Sequence, residues 1–116
     1  MKNNTEAGYS PFNRIPHDTT LVLNLYLTQL DLGERFRKKL ARIGTLRISE
    51  QDMVKIDGLT VLDFVQGCSI RPRSSQVVCK WQGFGSDSVR LIDRALAEHH
   101  TTLCSLIIAW ESAQLD

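Results

Sequence analysis

At 116 residues and 42% hydrophobic, the chain is the size of one globular domain, too apolar for wholesale disorder and short for a cleft-bearing enzyme. Its formal net charge is only +1, which is weak for a protein that must hold a polyanion unaided. No apolar run approaches the roughly 18 residues of a membrane span, and the first residues lack the apolar segment of a signal peptide, so a cytoplasmic protein is expected.

Residues 1–17, with Asn3, Asn4, Gly8, Pro11 and Pro16, have no periodicity and read as a flexible tail, leaving residues 18–116 as a single domain. Asp18 or Thr19 can cap a long helix predicted to run to Ile43, with Gly44 as its stop. The front half carries Leu21, Val22, Leu23, Leu25, Leu27, Leu30 and Leu32 and has almost no polar side. A helix apolar nearly all round is buried on more than one side, so this one is expected to serve both core and subunit contact, with Leu25 and Leu30 at a dimer interface. In the back half, Phe36, Leu40 and Ile43 form an inward stripe. From residue 33 to residue 47, Arg35, Arg37, Lys38, Lys39, Arg42 and Arg47 stand against Glu34 alone, a local charge of six minus one, +5. Such a run is either a solvated face or the segment that supplies charge to a nucleic-acid surface.

Residues 48–66 punctuate themselves twice in the same way. Ser49 is followed three residues on by Asp52, and Thr60 three residues on by Asp63, with Asp57-Gly58 between as a break. Two short capped helices around a glycine turn are the outline of a helix-turn-helix, which points to a gene regulator. The weak net charge and the carboxylates of Glu50, Asp57 and Asp63 make the pair one element of a composite DNA surface. Arg42, Arg47, Lys38, Lys39 and Thr60 are the candidate DNA contacts.

Pro72 and the serines of residues 67–75 predict a loop, and residues 76–81, with Val77, Val78 and Cys79, one short strand. A lone strand has unpaired edges, and pairing with the same strand of a second copy would satisfy them, again predicting a dimer. Gly83-Phe84-Gly85 breaks the pattern, and Ser86, Asp87 or Ser88 caps a last helix to about Ser112. Val89, Ile92, Leu96, His99, Leu103, Leu106 and Trp110 form a seam along it.

Signals for chemistry are weak. Cys68, Cys79 and Cys104 lie more than ten residues apart with no zinc-type spacing, so no cofactor is expected in this chain, and Cys68 and Cys104 read as small buried hydrophobes. Neighbouring His99 and His100 face different ways on a helix and make a poor metal or acid–base pair. Residues 83–86 lack the rest of a phosphate-loop motif, and no hydrolase elbow is present, so an enzyme is not expected. Trp81 beside Lys80 could stack on a base, but core or interface is the favoured reading.

A leucine-rich helix, a double-capped pair, a cysteine-bearing strand and a terminal helix occur here in the order of the FlhD family of flagellar transcriptional activators, which the chain resembles. The resemblance rests on Asn24-Leu25, Ile48-Ser49-Glu50, Leu59-Thr60, Val65, Gln76-Val77-Val78-Cys79 and, more weakly, His100-Thr101-Thr102-Leu103, spanning residues 18–106. It implies a mainly α, dimeric fold with a helix-turn-helix-like pair and one short strand. It also implies a hetero-oligomer with a larger, zinc-binding FlhC-like subunit that binds promoter DNA and recruits RNA polymerase. Val89, His100, Thr101, Leu103 and Leu106 match the partner-contacting segment, and Cys79 matches a cysteine at the dimer interface able to form an interchain disulfide. The tail, the expanded loop of residues 67–73 and the C-terminus depart from the family, which resembles the FlhD-like activators of conjugative plasmids and integrative elements. A non-DNA-contacting interaction protein and a phage-type antitermination factor are the alternative expectations.

Overall fold

Residues 18–43 do not form one helix. The computed structural model describes residues 15–47 and 51–114, and in it helix α1 covers His17–Leu23 and helix α2 covers Glu34–Ile43. Between them a 3-10 turn spans Leu27–Gln29, opened by the Tyr26 N–H donating to Gln29 Oε1 at 2.8 Å. The leucines explain the break. Val22, Leu23, Leu27, Leu30 and Leu32 are all buried, and a straight helix would spread them around its circumference, beyond the reach of a single core. Turning the chain brings each into the same interior, while Leu21 is left 55% exposed. The turn is held by neighbouring backbone: the Leu27 N–H donates to Leu59 O at 2.9 Å and the Val61 N–H to Leu25 O at 2.8 Å. Gly44, at φ 70°, ends α2 as predicted, since a residue with a Cβ is disfavoured there.

The first helix of the predicted capped pair is absent from the described residues. Strand β1 (Thr45–Arg47) pairs antiparallel with strand β2 (Met53–Lys55), Leu46 opposite Val54. Ser49 lies outside the described residues, and Asp52 precedes β2 and caps no helix. Alternation decides this outcome: Leu46 is buried between exposed Thr45 and Arg47, a period of two that suits a strand. After a 3-10 turn at Ile56–Gly58, the second cap forms as predicted. The Asp63 N–H donates to Thr60 Oγ1 at 3.2 Å and the Thr60 N–H to Asp63 Oδ2 at 2.9 Å, opening helix α3 at Val61–Gln66. The helix-turn-helix outline is thus a hairpin, a 3-10 turn and one short helix.

A second correction concerns the single strand. Strand β3 (Cys68–Ile70) pairs antiparallel with strand β4 (Val77–Cys79), so β4 finds a partner in its own chain. A third concerns the last helix, which is two: α4 at Ser86–Leu96 and α5 at Leu103–Gln114. Gly85 stands at the N-cap of α4, and none of Ser86, Asp87 and Ser88 caps it through its side chain. His100 adopts the left-handed conformation at φ 61°, with its N–H donating to Ala97 O at 3.0 Å and the Thr101 N–H to Leu96 O at 3.3 Å. That pair of bonds is a Schellman stop. Helix α5 then starts on Thr102, whose Oγ1 accepts from the Ser105 N–H at 3.1 Å, while Asp93 Oδ1 on α4 accepts the Leu103 N–H at 2.8 Å.

The described residues are mainly helical, with five α-helices and two antiparallel strand pairs. Helix α3 sits at the centre, against α1, α5 and β3. Phe64 from α3 packs edge-on against Trp81, with ring centroids 5.3 Å apart, and Phe84 joins both at 6.0 and 5.4 Å. Phe36 reaches Phe84 from α2 at 6.3 Å, so four aromatic rings tie α2, α3 and the approach to α4 together. Trp81 is therefore a core residue, in line with the favoured reading. Gly67 is buried beneath it, and a methyl group there would collide with the indole.

Candidate nucleic-acid interface

Helix α2 divides its side chains sharply. Phe36 and Leu40 are buried and Ile43 is partly so, giving the predicted inward stripe. Arg35, Lys38 and Arg42, spaced three and four apart, lie together on the outward side and are exposed. With Glu34 and Ala41 they line a groove of about 660 Å³. Lys38 Nζ lies 3.4 Å from Glu34 Oε2, but both side chains are more than 70% exposed, and such a pair holds its cation by less than about 1 kcal/mol. Arg37 is on the other flank, where its Nη2 donates to Leu30 O at 3.3 Å and it lines a second cleft with Lys55 and Asp57.

Lys39 has a different task. Its Nζ donates to Ser88 Oγ at 3.1 Å and lies 5.8 and 5.9 Å from the ring centroids of Phe36 and Phe84. Ser88 is the buried polar residue of the described core, 2% exposed, and Lys39 satisfies its hydroxyl. Arg47 is exposed on β1 opposite Met53, and its Nη2 donates to Met53 Sδ at 4.0 Å. Thr60 is half-buried with its hydroxyl engaged in the α3 cap. Of the five candidate DNA contacts, Arg42 and Lys38 therefore share one outward face, Arg47 is on the hairpin that follows it, and Lys39 and Thr60 are committed to the fold.

No model of a known protein family, no curated protein and no solved structure matches this chain. Leu30 is fully buried by its own chain and has no surface to give a second copy, whereas Leu25 is half-buried beside exposed Leu21 and Tyr26. Val77 and Cys79 are half-buried on β4. Among the partner-binding candidates, Val89, Leu103 and Leu106 are buried in the core, where the seam residues Ile92 and Leu96 join them. His100 and Thr101 lie at the surface, lining a cleft of about 470 Å³ with Leu21, Asp18, Glu98 and His99. His99 is exposed and does not pack in the seam.

Among the described residues, no three His, Cys, Asp or Glu side chains are grouped to hold a metal ion, and no helix is long and apolar enough to cross a membrane. Sequence reasoning missed one constellation. Cys68 stands directly across from Cys79 in the β3–β4 pair. Hydrogen bonding from Cys68 lowers the Cys79 thiol below its ordinary range, and the Trp81 N–H, which donates to Cys79 Sγ at 3.4 Å, acts in the same direction. Cys68, the donor and the more buried, is raised by the same contact and by desolvation. No period of two marks it, since residues 77–79 are a continuous apolar run, and the pairing register of the two strands alone sets Cys68 opposite Cys79.

Proposed function

We propose that the chain is a DNA-contacting subunit of a transcriptional activator, working as a homodimer with an FlhC-like, zinc-binding partner and RNA polymerase at flagellar or conjugative-transfer promoters. The observation that carries the reading is the outward face of α2, where Arg35, Lys38 and Arg42 stand together ahead of a hairpin bearing Arg47. Three cations on the outward face of one short helix, with a solvated Glu34 as the acidic residue of the groove they line, are an electrostatic footprint for phosphate. Three contacts are few, which fits a subunit that shares its DNA load with a partner. Helix α3 has no part in this reading, because Val61, Phe64 and Val65 are buried and its cap is internal. The surface around His100 and Thr101 is the candidate partner contact.

That same burial of α3 favours a second reading, an interaction protein that never meets DNA. Co-purification from the cells that encode the chain, followed by native mass measurement, zinc analysis and a promoter footprint, separates the two. A zinc-containing complex that protects promoter DNA is expected. A complex without zinc or footprint would overturn the activator reading.

A further inference from the structure

Backbone hydrogen bonds give the β3–β4 pair a definite phase. The Lys80 N–H donates to Gly67 O and the Arg71 N–H to Gln76 O, each at 2.8 Å, so the opposed pairs 67/80 and 71/76 are hydrogen-bonded ones. The alternation of an antiparallel ladder then makes Cys68/Cys79 and Ile70/Val77 non-hydrogen-bonded pairs. At such sites the Cα atoms approach to about 4.5 Å and the side chains lie closest, at the near end of the roughly 4.4–6.8 Å range that a disulfide spans.

We propose that Cys68 and Cys79 are a reversible redox pair, oxidised by hydroperoxides to a cross-strand disulfide within one chain. Cys79 is half-buried and Cys68 buried, so the oxidant meets Cys79 first. The Cys79 thiolate attacks the hydroperoxide, the O–O bond breaks, sulfenic acid forms, and the released alkoxide or hydroxide takes up the proton that the Cys79 thiol gave up and leaves as alcohol or water. The Cys68 sulfur then attacks the Cys79 sulfur, the S–O bond breaks, and the departing hydroxide leaves as water with the proton from Cys68. Two thiols lose two electrons in total and the hydroperoxide gains them. Cys104, on α5 and outside the pair, keeps its thiol. This pairing occupies Cys79 inside its own chain and competes with any interchain bond there, and it is independent of the DNA reading.

The test is hydrogen peroxide titration of the full chain, with alkylation quench, intact mass and peptide mapping. The expected result is a monomeric covalent species lacking two hydrogens, with Cys68 and Cys79 peptides linked, Cys104 alkylated, and full reversal by dithiothreitol. Three alkylated thiols after oxidation, a Cys79–Cys79 linked dimer, or a link through Cys104 would each overturn the proposal. In a Cys68→Ser variant, dimedone should trap a persistent sulfenic acid at Cys79 several-fold above wild type, and labelling no greater than wild type would count against Cys68 as the resolving thiol.

Discussion

Replacing Arg35, Lys38 and Arg42 together by alanine removes the outward cation stripe of α2 without touching its buried side. Each phosphate neutralised contributes about 0.9 to the slope of log K against log salt, so three lost contacts lower that slope by at most about 2.7. Between 50 and 200 mM salt this is a difference of about fortyfold in how strongly salt weakens binding. The stability cost is small. Alanine suits a helix, the three side chains are exposed, and the exposed Glu34–Lys38 pair contributes a few tenths of a kcal/mol. Fluorescence anisotropy of a labelled random-sequence duplex, titrated with the wild-type and triple-variant chains across that salt range, reads the slope directly. An unfolding free energy in urea within about 0.5 kcal/mol of wild type would show that the fold is intact. An intact triple variant with the wild-type slope would remove α2 from any DNA face.

Lys39→Ala should destabilise the chain by about 1–3 kcal/mol in urea unfolding, because it strands the buried Ser88 hydroxyl and removes a cation over two rings; a midpoint unchanged from wild type would refute the tether. Asp93→Ala should cost about 1 kcal/mol by the same measurement, since the Leu103 N–H loses its acceptor at the start of α5. His100→Gly should act in the opposite direction. A non-glycine residue at φ 61° costs roughly 1–2 kcal/mol, of which the greater freedom of unfolded glycine returns about 0.5–1, so a thermal midpoint a few degrees higher is expected, and a lower one would contradict the left-handed stop.

Features set by near neighbours were legible in the sequence. The Thr60–Asp63 box and the Gly44 stop each depend on atoms within a few residues, so local chemistry identifies them. The inward stripe of α2 is likewise a matter of helical spacing. Cap-like spacing misled at Asp52, which leads into a strand, and the alternation through Leu46 outweighed it. The leucine run of residues 21–32 misled for another reason: composition records that these side chains are buried without recording from how many directions. At the candidate interface, the excess of charge in residues 33–47 was plain, but its division was not. Lys38 and Lys39 are adjacent and chemically identical, yet one faces outward and the other is drawn to Ser88, 49 residues along the chain.

The sequence by itself determined a mainly helical chain with a locally basic segment, the cap of one short helix at Thr60 and an aromatic residue for core or interface at Trp81. These follow from composition and short-range spacing. Only the tertiary structure decided that β4 pairs within its own chain, that Leu30 faces its own core, and that Cys68 and Cys79 oppose each other. Each of these turns on which distant segment supplies a backbone partner or an apolar neighbour, and that choice is made by the packed interior as a whole.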